Sequence, residues 1–381
     1  MELSSRERFL RTLDYKSVDR VPYHSMGLWQ QTLERWMAEG LGQVARTEFM
    51  VGASGMVCGS EYFGLDRWEY IDIRLDAQPY FKEEVIEETD RYRIFIDQEG
   101  ATQRIIKDDE NLRGVRGYID HPAKTREDWA RFKKRFDPTT PSRYPFYWEE
   151  KVKAMADRDY PTILPMNSAS AFGLYSFLRR CMGTEEACVA FYDDPSFAEE
   201  LLDFYTDFTT ETIHHCLHEV KVDCYNIFED MAGKGGPLVS PSIFKQFLMP
   251  RYKRIIEFLN KHGVKWISMD SDGDMWALIP LLIESGINIL WPMEIASGME
   301  PLEARKKYGR DLRLWGGLDK RVLAGSREAI EHEVLRKVPA LLKDGGYIPF
   351  LDHDPHPDIP LDNFYYYLEI LRRAAEGRYG A

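Results

Sequence analysis

From residue 161 onward the chain repeats one pattern, and that repeat restricts the fold more than any other feature. Apolar runs of strand length occur at "PTILPMN" (161–167), "VDCYNIF" (222–228), "VKWISMD" (264–270), "INILWPME" (287–294), "LRLWGG" (312–317) and "YIPFLD" (347–352). Most of the gaps carry helical periodicity, as in "SREAIEHEVLRKVPALLKDG" (326–345). Strands that are apolar throughout and alternate with helices describe a parallel sheet buried on both faces. These six units, with two more expected from the N-terminal third, make eight. The predicted fold is therefore α/β, a (β/α)8 TIM barrel rather than a doubly wound sheet. No G-x-G-x-x-G follows a strand, and "GKGG" at 233–236 lacks the spacing of a phosphate-binding loop. At 381 residues, the whole of 1–381 reads as one barrel domain.

The N-terminal third departs from this repeat. Ser4-x-x-Glu7 is a capping box for a first helix carrying Phe9, Leu10 and Leu13. "RVPYHSM" (20–26) reads as a strand, followed by a helical stretch around 28–39. Residues 83–107 alternate apolar and polar around a Gln-Glu-Gly turn, predicting a β-hairpin or small antiparallel insertion. Residues 121–160 read as a charged, partly helical surface connection.

Charge and cysteine usage exclude several functions. A net charge of −13 leaves no basic excess to displace counterions from nucleic acid. It also disfavours a strongly anionic substrate unless local arginines overcome the general field. The five cysteines form no C-x-x-C pair, which suits a reducing cytoplasm. The N-terminus is no signal h-region, and no apolar stretch reaches the ~18 residues needed to span a bilayer. A cytoplasmic enzyme acting on a small molecule is expected.

Barrel enzymes place their chemistry at the C-terminal ends of the strands. Those ends carry Asn167 and Ser168, Glu229 and Asp230, Asp270 and Asp272, Glu294, Asp319 with Lys320, and Asp352 with His353. An aspartate there is often only an N-cap for the next helix; the coincidence across strands points to a site. Asp270, Asp272, Glu294 and His353 supply hard oxygens and one imidazole, a ligand set acceptable to zinc or another divalent ion. The same carboxylates could instead work as general acids and bases. Candidate catalytic groups are Glu229, Asp230, Asp270 and His353; candidate substrate contacts are His24, Trp29, Asn167, Phe172, Trp291 and Asp352. His214 and His218 have chelating i, i+4 spacing, but on a helix between strands they read as part of a polar outer face. In "DHDPHPDIP" (352–360), His353 is expected at the mouth and His356 in a proline-stiffened turn.

Four segments resemble the uroporphyrinogen decarboxylase superfamily: "EDMAGKGGPLVSPSIFKQFLMPRYKRI" (229–255), "DSDGDMWALIPLLIESGINILWPMEIASG" (270–298), "YGRDLRLWGGLDKRVLAG" (308–325) and "GGYIPFLDHDPHPDIPLDNFYYYLE" (345–369). The resemblance implies a (β/α)8 barrel with a deep cleft at the C-terminal mouth. It covers both cofactor-free decarboxylases and zinc-dependent methyltransferases that work with a corrinoid protein. The decarboxylases carry an arginine-rich stretch after the first strand, whereas "VPYHSMGLWQQTLERW" has no arginine between Arg20 and Arg35. The methyltransferases' His-x-Cys falls on Asp270-Ser271-Asp272, their glutamate on Glu294, and their last cysteine near His353. The resemblance thus implies a metal-dependent methyltransferase moving a methyl group from an O-methyl, possibly methoxyaromatic, substrate to a corrinoid protein. The alternative is a cofactor-free decarboxylase of uroporphyrinogen type or of a smaller acid. A homodimer is a family-level expectation.

Overall fold

The computed structural model describes residues 2–25, 27–42, 50–51, 56–58, 62–107, 117–165 and 172–377. Its central sheet has seven parallel strands in sequence order: β1 (Glu69–Tyr70), β2 (Thr162–Leu164), β3 (Cys224–Phe228), β4 (Trp266–Asp270), β5 (Ile289–Trp291), β6 (Arg313–Trp315) and β7 (Tyr347–Ile348). The last six fall inside the apolar runs expected to form them. Registers such as Phe228 opposite Asp270, and Asp270 opposite Trp291, bring the strand ends to one level.

Residues 20–26 were expected to form a strand, and within the described residues they do not. Pro22 has no N–H to give a ladder, and Tyr23 N–H donates to the Asp66 carboxylate at 2.8 Å. Asp66 N–H in turn donates to Tyr23 O at 2.7 Å. The segment nevertheless packs against the sheet: the His24 ring sits 4.3 Å from Trp68, just before β1, and 5.7 Å from Trp315 on β6. The helix expected around 28–39 is α2 (Gln30–Ala38). The alternating stretch is a small antiparallel sheet of Glu84–Glu88, Tyr92–Ile96, Thr102–Ile106 and Gly117–Asp120 in sequence order, its middle pair a hairpin around the Gln-Glu-Gly turn.

One buried cluster joins Ile163, Cys224, Trp266, Ile289, Trp291, Trp315 and Ile348 from the sheet with Phe9 and Leu13 of the first helix. That helix, α1 (Ser5–Leu13), has the expected capping box, with Ser4 and Glu7 bonding each other's backbone N–H. Arg6 and Arg158 both reach Asp223 at the start of β3, so α1 is fixed to the sheet's N-terminal end. A larger apolar layer packs the helices against the sheet from outside. Within the inner cluster, Asn226 Oδ1 accepts from Ser268 Oγ at 2.7 Å and from Trp291 Nε1 at 2.9 Å, satisfying polar groups that burial would otherwise penalise.

The proline-rich turn after β7 is strapped to α2. Proline carbonyls still accept hydrogen bonds, and Thr32, Arg35 and Trp36 donate to the oxygens of Pro355, Pro357 and Ile359 at 2.6–2.8 Å. The strap fixes the chain immediately after His353.

Candidate active site at the strand ends

Alternation along β3 and β4 decides which side chains reach the mouth. Asn226 and Ser268 bond each other within the inner cluster, so by the strand period of two Phe228 and Asp270 share their side. Continuing that period past the strand ends, Asp230 and Asp272 follow, while Glu229 turns the opposite way.

Glu229 is fully buried, and all its acceptor capacity is used. It accepts from Tyr175 N–H at 2.9 Å, Ser176 N–H at 2.8 Å, Ser176 Oγ at 2.7 Å and the Tyr252 hydroxyl. Two of these donors belong to the first turn of α3 (Leu174–Met182), where a helix leaves amide hydrogens unsatisfied and favours negative charge. A side chain at Gly173 would place its Cβ 2.1 Å from Glu229 Cδ, so a glycine is required there. The expected catalytic role of Glu229 is therefore corrected: it pins α3 and keeps no lone pair for substrate.

Asp230, by contrast, stays half-buried, 3.8 Å from Arg179 Nη2. Burial, with repulsion from Asp272, pushes its carboxyl up to about 7. Asp270 is buried, and desolvation with repulsion from Asp272, Asp230 and Asp354 holds it well above the usual carboxylate range. His353 Nε2 contacts Asp272 Oδ1 at 2.9 Å, and its Nδ1 lies 3.9 Å from Asp352 Oδ1. Burial opposes a charge on this ring, yet the two aspartates raise it to about 10, so it is an imidazolium at neutral pH.

Other expected site residues serve the scaffold. Asp352 is buried, accepting from Ile295 N–H at 3.0 Å and Lys320 N–H at 3.1 Å; it ties together the loops after β5, β6 and β7 and is not free to bind substrate. Glu294 Oε2 accepts from Gly273 N–H at 2.8 Å and Ser297 Oγ at 2.7 Å. Gly273, at φ +85°, passes so close to the Ala232 carbonyl that a Cβ would lie 2.5 Å from it. Trp291 is buried in the inner cluster, its ring 5.1 Å from Trp315. Phe172 is buried beside Phe228, and His24 is buried among Phe9, Trp68 and Trp315, its imidazole lowered to about 4 by desolvation. Trp29 packs on His356 at 4.7 Å. Asn167 and Ser168 lie outside the described residues.

The structure thus brings Asp230, Asp270, Asp272 and His353 together. It adds Asp354, hidden in what reads as a plain turn, and Arg179, which comes from α3 rather than a strand end. The expected metal set of Asp270, Asp272, Glu294 and His353 does not converge. Three donor atoms within 4.8 Å of one another are found among the described residues only at His214, His218 and His262. Glu294 is turned into its own loop, and His353 is engaged directly by Asp272. As they stand, these four residues do not fit a single metal site.

Seven parallel strands in sequence order, with ionisable groups crowding one end, define a curled α/β scaffold with a polar patch at its strand ends. A family model described as uroporphyrinogen decarboxylase matches residues 112–374, and the chain belongs to that family. Curated relatives include uroporphyrinogen decarboxylases of Syntrophotalea carbinolica, 23% identical over 49% of this chain and 51% of the relative, and of Legionella pneumophila, 27% identical over 36% and 38%. The chain thus spans about half the length, or less, of the curated relatives it matches. A methyltransferase from Methanosarcina mazei has a similar fold, with a TM-score of 0.60 at 15% identity over 100% of both chains. The family match places the chain among uroporphyrinogen decarboxylase-like proteins, and the likeness to the methyltransferase is one of fold. Among the described residues, no helix is long and apolar enough to cross a membrane.

Proposed function

We propose that this mouth transfers a methyl group from a neutral O-methyl compound, such as a methoxylated aromatic, to a corrinoid carried by a separate protein. Asp230 carries the proposal: its carboxyl, raised to about 7 and half-buried, is poised to give up a proton near neutral pH. The surroundings favour an uncharged substrate. Asp230, Asp270, Asp272 and Asp354 face Arg179, His353 and Lys320, while Arg20 is bound to Asp66 and Arg35 to Glu39 and the Pro357 carbonyl. A polycarboxylate would meet carboxyl groups with few free cations to receive it.

The corrinoid would supply the nucleophile that accepts the methyl group. As the carbon–oxygen bond breaks, its electron pair stays on oxygen and the Asp230 proton passes to that oxygen, releasing the alcohol or phenol. Positive charge on His353, held in place by Asp272, stabilises the negative charge developing on the departing oxygen. Asp230 then regains its proton from solvent at its exposed edge.

The curated relatives favour a second reading, cofactor-free decarboxylation of uroporphyrinogen or of a smaller acid, with a substrate carboxylate pairing with His353 or Arg179. Incubation with methoxylated aromatics and a reduced corrinoid should yield methylated corrinoid, and Asp230→Asn should abolish it. Carbon dioxide release from uroporphyrinogen or an aromatic acid, without corrinoid and with no methyl transfer, would decide for the second reading.

A further inference from the structure

Far from the mouth, three imidazoles converge on the outer surface. His214 and His218 are one turn apart on α4 (Pro195–Glu219), and His262 caps the C-terminal end of α5 (Met249–Lys261). These helices lead into β3 and β4, so the cluster lies toward the N-terminal ends of the strands, opposite the carboxylates. His218 Nε2 stands 2.9 Å from His214 Nε2, and the His262 ring centre is 5.3 Å from His214 and 5.4 Å from His218. One donor atom from each falls within 4.8 Å of the other two.

A hydrogen bond between His214 and His218 accounts for their approach but not for the third ring. His262 Nδ1 lies 2.9 Å from the Phe258 carbonyl oxygen. A carbonyl can only accept, so Nδ1 carries the hydrogen and the Nε2 lone pair is left available. An imidazole held by its other nitrogen in this way is the usual support behind a metal ligand. With metal–nitrogen bonds of about 2.0–2.1 Å, nitrogens 2.9 Å apart subtend about 90°, and a tetrahedral angle needs only about 3.3 Å. His214 and His218 are exposed and can rotate that far.

We propose that His214, His218 and His262 bind one first-row divalent transition metal, zinc or nickel being suited to imidazole, with water in the remaining positions. The ion would staple α4 to α5 on the outside of the sheet.

The test is calorimetric titration of zinc into untagged, full-length, chelator-treated protein at about pH 7.5, where imidazoles are mostly neutral. The wild type should take up one equivalent at the cluster, retained in Asp272→Asn. His214→Ala, His218→Ala and His262→Gln should each weaken binding at least about tenfold, as loss of a ligand or its support does. Zinc should also raise the unfolding midpoint of the wild type and not of His218→Ala. Circular dichroism checks that each variant is folded, and two of the three substitutions are at exposed positions. No saturable binding at millimolar zinc would overturn the proposal. So would histidine variants that bind like the wild type, or loss of the equivalent in Asp272→Asn.

Discussion

Asp272→Asn should change the charge on His353. The ring nitrogen and carboxylate oxygen are 2.9 Å apart, for which Coulomb's law gives about 6 kcal/mol at an effective dielectric of about 20. Asp272 is about half exposed, at 48%, and solvent screening reduces this to roughly 3 kcal/mol. Asp352 cannot substitute, being 3.9 Å away with its oxygens already accepting from Ile295 and Lys320. Burial, which favours the neutral ring, is then less opposed. Each tenfold change in protonation is about 1.4 kcal/mol, so the midpoint should fall from about 10 to about 8 or lower. Nitrogen-15 NMR of the imidazole across an alkaline titration reads this directly. Because the folded value lies above the ordinary ~6.5, the ion pair's stabilisation is complete below that pH and disappears as pH rises through about 10. The variant should show a flatter alkaline loss of stability. A wild-type ring titrating near its ordinary value, or a midpoint unmoved by the substitution, would refute the reasoning.

Glu229→Gln should destabilise the protein by about 2–4 kcal/mol in urea unfolding, because an amide hydrogen must face the buried donors of Tyr175, Ser176 or Tyr252; an unchanged midpoint would count against the pinning role. His24 gives the opposite pH dependence to His353. Its folded value of about 4 lies below the ordinary ~6.5, so its contribution is present above that pH and falls by about 3 kcal/mol as pH drops toward 4. His24→Phe should flatten this acid slope in denaturant titrations between pH about 7 and 4, and an unchanged slope would show that other groups set it.

Much of the fold was legible in order along the chain. The six late strands are apolar over short runs bounded by helical periodicity, so burial on both faces is written into their composition. Residues 20–26 misled because their apolar character reflects burial beside the sheet, while Pro22 and Asp66 remove the ladder hydrogen bonds. At the strand ends, the sequence singled out Asp230, Asp270, Asp272 and His353, which the structure places near one another. The same reading also collected Glu229, Asp352 and Glu294, which have the same chemical type and similar positions.

Strand alternation separates Glu229 from Asp230, yet only the packed structure shows that Glu229 meets the start of α3 and the Tyr252 hydroxyl, partners more than twenty residues away in either direction. Arg179 and Asp354 were missed because one enters from a helix and the other sits in a turn. His262 was missed because β3, a short hairpin and the whole of α5 separate it from its partners on α4. The sequence by itself determined the strand repeat, the family and the crowding of acids at one end. Tertiary structure alone decided which carboxyls are bonded away, which are shifted upward by burial and like charge, and which imidazoles meet. Burial and neighbouring charge are properties of three-dimensional surroundings that no local stretch of chain contains.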